Sequence, residues 1–162
     1  MLFSTKAEYG VRLMIELGRR AGDDPVDEAP PVALATVAES ELLPLSYLEH
    51  LVAKLRQAGL VTSVRGAHGG YRLAKPADDI AMLDVVQALE GPIAPMECFE
   101  VDSEGRVLCS HETDGDRACA TKLLWTKVHG GITQALNGTT LADLVEFADS
   151  HNPEPTLAGT AA

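Results

Sequence analysis

Between Pro44 and Gly59 the chain carries its most constraining pattern. Leu48, Leu51, Val52 and Leu55 recur at i, i+3, i+4 and i+7, one apolar stripe on a helix. Such a helix must lay that stripe on a core and leave only its far side in water. Pro44 suits the first turn, where its fixed φ is compatible and its missing amide is not needed. Ser46 and Glu49 have the spacing of a capping box; a start two residues earlier is the alternative. Gly59 stands where a helix ends in a left-handed residue, and Leu60 supplies the apolar residue that follows. The opposite face presents Tyr47, His50, Lys54 and Gln57.

What flanks this helix limits the fold further. Before it, a short helix is expected over about Ala33 to Glu39, with Leu34, Val37 and Ala38 inward. After it, Val61-Thr62-Ser63-Val64 and Tyr71-Arg72-Leu73-Ala74 read as strands around a turn, Arg65 to Gly70, that holds three glycines. Two short helices and a two-stranded wing make a winged helix-turn-helix. A first helix is expected to start after Ser4 or Thr5 and end near Gly22, with Ala7, Val11, Met14 and Ile15 on one side. The proline-rich, acidic stretch 23–31 then reads as a loop. A fourth helix over about Ile80 to Glu90 places Met82, Val85, Val86 and Leu89 on one face, and Gly91 ends it.

The second half is organised differently. Residues 92–118 read as irregular. A long helix follows from about Ala120 to Leu136, with Leu124, Val128 and Ile132 as its stripe and Trp125 and Leu136 beside it. Gly130 and Gly131 weaken such a helix by about 1 kcal/mol each, so packing against a partner must compensate. Gly138 ends it, and Thr140 caps a last helix through Leu141, Leu144 and Val145. The expected division is a winged-helix domain over 1–91, a cysteine-containing loop over 92–119, dimerisation helices over 120–149 and a disordered tail over 150–162. The expected class is mainly α with a small β-hairpin wing and a long dimerisation helix. Aromatic residues are only 4 % against 46 % hydrophobic overall, so the core must be aliphatic.

A net charge of −11 argues against nucleic acid until its distribution is considered. Residues 1–75 hold nine Lys/Arg and nine Asp/Glu; residues 76–162 hold four and fifteen. Within 46–75, Lys54, Arg56, Arg65, Arg72 and Lys75 face Glu49 alone. A duplex can therefore be gripped by one end of the molecule and is repelled by the other. On the recognition helix, Ser46, Tyr47, Glu49 and His50 lie near the N-terminus, where base contact is usual. The wing adds Arg65, Gly66, His68, Gly69 and Tyr71, its glycines letting backbone approach the duplex closely.

The runs Leu45-Ser46-Tyr47-Leu48-Glu49-His50-Leu51, Leu55-Arg56-Gln57-Ala58-Gly59-Leu60-Val61 and Ser63-Val64-Arg65-Gly66-Ala67-His68-Gly69-Gly70-Tyr71-Arg72-Leu73 resemble the IscR/NsrR/CymR-type family of winged-helix regulators. Ile80 to Gly91, Trp125 and Thr139 to Val145 resemble its later helices, so the resemblance spans about 2–148. It implies a homodimer built on the long helix and a roughly palindromic double-stranded DNA operator. By position it makes Ser46, Tyr47, Glu49, His50 and Arg65 base-reading or phosphate-holding residues.

Cys98, Cys109 and Cys119 are the only cysteines, with ten and nine residues between them. An odd, clustered set does not fit a secreted disulfide scaffold. It fits a metal or cluster site, or a redox switch. The set resembles the cluster loop of the family's iron–sulfur members, which implies a 2Fe–2S centre. Its spacings are wider than in the compact version, and Lys122 stands where some members have a histidine. The fourth ligand therefore stays open between His111 and Glu8 of the partner subunit, the latter matching an acidic position some members use; His129 lies ten residues past Cys119. Zinc held by three thiolates and a histidine is an alternative, as is a cluster-free sensor of a metabolite or of thiol oxidation.

No apolar run reaches the roughly 18 residues of a membrane span, and the N-terminus lacks a secretory apolar stretch, so a cytoplasmic location without membrane contact is expected. No phosphate loop, nucleophile elbow or pair of carboxylates in a cleft points to an enzyme.

Overall fold

In the computed structural model, residues 3–22, 24–96, 99–102, 104–105, 107–109 and 119–150 are described, without the side chains of residues 99, 100, 108 and 109. The order is α1 (Thr5–Ala21), α2 (Leu34–Glu41), α3 (Leu45–Gln57), β1 (Val61–Val64), β2 (Gly70–Leu73), α4 (Met82–Glu90), β3 (Phe99–Val101), β4 (Val107–Cys109), α5 (Ala120–Asn137) and α6 (Leu141–Asp149). It is a mainly α winged-helix fold with small antiparallel hairpins.

The core is aliphatic, as the scarcity of aromatics requires. Leu48, Leu51, Val52 and Leu55 of α3 are buried together with Leu13, Met14 and Leu17 of α1, Val37 of α2 and Leu89 of α4. The α3 stripe is therefore the one expected. The stripe on α1 is borne out in part: Ala7 and Met14 are buried as expected, but Leu13 and Leu17 join them while Val11 and Ile15 are only half-buried. Two glycines cause the difference. A Cβ on Gly10 would lie 2.2 Å from a Leu89 methyl, and one on Gly18 2.8 Å from Val145. Neighbouring helices close on α1 through its glycines, which a count of large apolar residues overlooks.

The end of α3 matches its sequence and the start does not. Gly59 has φ +71, and the Leu60 and Gly59 amides donate to the carbonyls of Leu55 and Arg56, each at 3.0 Å. That is the Schellman closure a C′ glycine permits. At the other end the helix begins at Leu45 with Pro44 as N-cap, and no side chain caps it. Ser46 thus lies inside the first turn, and the Ser46–Glu49 capping box does not form.

The wing pairs Val61 with Leu73 and Val64 with Gly70. Val32 joins it through an isolated antiparallel bridge, exchanging both backbone hydrogen bonds with Tyr71 at 2.8 Å. Gly70 is needed there, because a Cβ would meet the Val32 carbonyl oxygen at 2.4 Å. The region expected to be irregular after α4 contains the β3–β4 hairpin, with Phe99 opposite Cys109 and Val101 opposite Val107. Its turn is made by the Gly105 amide donating to the Asp102 carbonyl at 3.0 Å.

α5 and α6 part company in their packing. Leu141 of α6 is fully buried in the main core, and Thr140 with Asp143 forms a complete capping box. The α5–α6 junction is pinned to the start of α4 by Met82 N–H donating to Thr139 (2.9 Å) and Leu141 N–H donating to Ile80 (2.8 Å). No described residue of α5 is buried; Leu123 is 65 % and Leu124 54 % exposed.

Candidate nucleic-acid interface and thiol cluster

α3 projects its N-terminal half outward. Ser46, Glu49 and His50 are exposed, and the uncapped helix start leaves its first amides without a side-chain acceptor. Backbone donors at a helix N-terminus favour a phosphate. Tyr47 is placed differently. It is half-buried and meets Tyr9 of α1 edge-to-face, with centroids 5.8 Å apart at 87°, so its ring braces α3 against α1. Lys54 is exposed, but its ammonium donates to the Leu89 carbonyl at 2.9 Å. That bond holds the last turn of α3 to the end of α4 and draws the charge towards α4.

The wing tip carries Arg65, Gly66 and His68 in the open. Gly66 has φ +123, and its carbonyl accepts from the Gly69 amide at 3.0 Å, closing the tip. Gly69 is half-buried; a Cβ there would lie 2.3 Å from the Val64 carbonyl oxygen. Tyr71 is half-buried on β2 and packs on the core, so its backbone and ring both serve the wing's base. Between wing and α2, His68, Thr36 and Ala33 line a shallow groove with Arg20 and Pro31.

Three polar ties that sequence reading missed fix this head. Arg12 donates to the Glu41 carboxylate at 2.8 Å and to the Glu41 carbonyl at 2.6 Å, joining α1 to the end of α2. Glu16, the one buried charged residue described, accepts from Arg20 at 2.7 Å and Ser40 at 3.0 Å. Glu90 of α4 accepts from the Ser4 amide at 3.1 Å and hydroxyl at 2.5 Å, and pairs with Lys6 at 3.2 Å. Burial pushes the Glu90 carboxyl up, but the Ser4 and Lys6 hydrogen bonds outweigh it and hold it below the usual carboxylate range. Glu90 lies 86 residues from Ser4, so no local spacing announces it.

On the acidic side, Cys119 is the half-buried N-cap residue of α5, its Sγ 3.2 Å from the Thr121 hydroxyl. Cys109 ends β4, which packs on α5. Its cross-strand neighbour is Phe99, and Cys98 directly precedes Phe99 in the chain. Cys98 and His111 lie outside the described residues. Among the described residues no three His, Cys, Asp or Glu side chains converge as a metal site. Glu8 is exposed on α1, and His129 lies half-buried on α5.

A family model described as Rrf2, iron-dependent transcriptional regulator, matches residues 3–147. The chain belongs to the Rrf2 family. It is thus a transcription regulator by family, not an enzyme, and the fold agrees. The Rrf2 relatives include the CymR regulator of Bacillus subtilis, 38 % identical over 149 residues, which are 92 % of this chain and 93 % of that one. IscR of Vibrio atlanticus is 36 % identical over 146 residues, 90 % of this chain and 76 % of that one. Among solved Rrf2-type structures, CymR of B. subtilis, described as its global cysteine regulator, superposes with a TM-score of 0.71 at 36 % identity, covering 92 % of this chain and 99 % of that one. IscR of T. potens gives 0.70 at 36 %, covering 96 % and 94 %. Among the described residues no helix is long and apolar enough to cross a membrane.

Proposed function

We propose that this Rrf2-family regulator reads a double-stranded operator as a homodimer, with its DNA affinity set by a 2Fe–2S cluster on Cys98, Cys109 and Cys119. The observation that carries the cluster reading is topological. The Phe99–Cys109 rung brings the chain just after Cys98 beside Cys109, and β4 packs on the helix that Cys119 starts. A hairpin that ends on Cys109, packed on a helix that starts at Cys119, suits a cluster that takes cysteine ligands with one replacement. The positive end of the α5 dipole suits an anionic group. His111, or Glu8 of the partner subunit, supplies the fourth ligand. When bound, the cluster would supply a centre that responds to iron supply, oxidation or nitric oxide.

The remaining work falls to the chain. Ser46, Glu49 and His50 face base edges, and Glu49 suits the amino group of cytosine. Arg65 and the backbone of Gly66 to Gly69 hold phosphates, and Tyr47, Tyr71 and Lys54 position the two units. A change at Cys119 reaches α5 directly, because Cys119 is its N-cap. From there it passes through the Met82–Thr139 and Lys54–Leu89 hydrogen bonds to α3. Two recognition helices must match half-sites roughly 34–36 Å apart, so a small change in α5 packing alters affinity. The segments 1–91, 92–119 and 120–149 take the DNA-binding, sensing and dimerising parts, with α6 packed on the first.

Anaerobic purification tests this reading. Visible absorption with equimolar iron and sulfide is expected, and Cys119→Ser should lose it with the fold intact. Colourless, iron-free protein that binds its operator normally would overturn the cluster; zinc in its place would make the loop a structural clip. A second reading, a cluster-free repressor sensing a metabolite or thiol oxidation, is favoured by the similarity to CymR, which is as high as that to IscR.

A further inference from the structure

Leu42, in the turn between α2 and α3, stands out twice. Among the described residues it is the one non-glycine with positive φ, at +55°. Its side chain is also 89 % exposed, more than any other large apolar residue described. A left-handed helix cap suits glycine, because a Cβ crowds the backbone there. A leucine gains nothing from that position within the chain. Three residues on, Leu45 opens α3 and is 42 % exposed. Leu45, Glu49 and Ala53 follow at intervals of four, so an exposed side of the reading helix runs apolar, acidic, apolar, with Ser46 and His50 alongside.

We infer that Leu45, flanked by Leu42, reads the 5-methyl group of thymine in the operator. This rests on the DNA-reading role of α3 proposed above. Base edges in the major groove are polar at every position but one; the thymine methyl is the apolar feature there. Phosphates and sugars offer a leucine nothing comparable. Leu45 shares the exposed start of α3 with Ser46 and Glu49, and Leu42 lies three residues before it, so a duplex seated on that helix start reaches Leu45. Burying a methyl against Leu45 adds discrimination that hydrogen bonding does not supply.

The test uses the full-length protein and a duplex it enriches from a random library about three helical turns long. Each thymine is replaced in turn by deoxyuridine, which removes the methyl and keeps every hydrogen bond. Wild-type protein should lose about fourfold in affinity at one or two thymines per half-site, the worth of one buried methyl. L45A and L42G should bind the thymine duplex more weakly and no longer distinguish deoxyuridine there. L42G should also melt higher than wild type, since glycine takes φ +55° without crowding, so affinity and stability move in opposite directions. Specific binding with no sensitivity to any methyl, or full sensitivity in both variants, overturns the proposal and leaves the regulator reading intact. No preference of wild type for the enriched duplex over random DNA overturns both.

Discussion

α3 and α5 are both amphipathic helices with stripes of aliphatic residues, and they meet opposite fates. α3 is the shorter, and it buries Leu48, Leu51, Val52 and Leu55 inside the chain. α5 runs from Ala120 to Asn137 and buries none of its described residues; Leu123 and Leu124 are more than half exposed. Nothing within 4 Å would meet a Cβ on Gly130 or Gly131 either. Periodicity reports that a helix has an apolar face. It does not report whose surface covers it. The head is finished within one chain, whereas α5 has the character of half an interface, which is why the proposed homodimer is placed there.

Substitutions tell the two helices apart, beginning with the most destabilising. Leu55→Ala should cost about 2–5 kcal/mol in chemical denaturation, because it opens a cavity in a fully buried site. Leu124→Glu should leave the helical circular dichroism intact but shift the protein from dimer to monomer in sedimentation, with operator affinity falling accordingly. If instead it unfolds the chain as Leu55→Ala does, the two helices are not different in kind. Glu90→Gln should cost about 1 kcal/mol through weakened hydrogen bonds to Ser4 and loss of the Lys6 pairing. The folded carboxyl titrates below its ordinary value of roughly 4.3, so its contribution is complete above that value. It fades as pH falls through the folded value. Glu90→Gln should therefore flatten the wild-type loss of stability in that window. Arg65→Ala should leave stability unchanged and lower the salt dependence of DNA binding by about one phosphate contact.

The head was largely legible from residue order. The α3 stripe, its Gly59 ending, the wing and the Gly91 stop all depend on local chemistry between near neighbours. What escaped depends on distant contacts or on small residues. Val32 joins the wing as a lone bridge residue between Pro31 and Ala33, with no alternation to mark it. The face of α1 is set by Gly10 and Gly18, whose meaning appears only when Leu89 and Val145 arrive. The β3–β4 hairpin was readable in principle, since Val101 and Val107 flank an Asp102 to Gly105 turn, but two three-residue strands give periodicity little to count. On the proposed DNA-reading face, Ser46, Glu49, His50, Arg65, Gly66 and His68 are exposed. Tyr47 and Lys54 share their helix but are held by Tyr9 and by Leu89. Leu45 escapes a reading of the sequence because an apolar residue near a helix start is ordinarily assigned to the core.

One titration bears most directly on the claim that a DNA-reading head is governed from a thiol-bearing α5. Fluorescence anisotropy of the enriched duplex and of a scrambled duplex would be followed at one fixed salt concentration, with anaerobic cluster-loaded protein and with the apo form. The account predicts a preference for the enriched duplex on the order of 10³ or more in one of the two forms, and a clear change of affinity between them. Equal binding of both duplexes in both forms would contradict it.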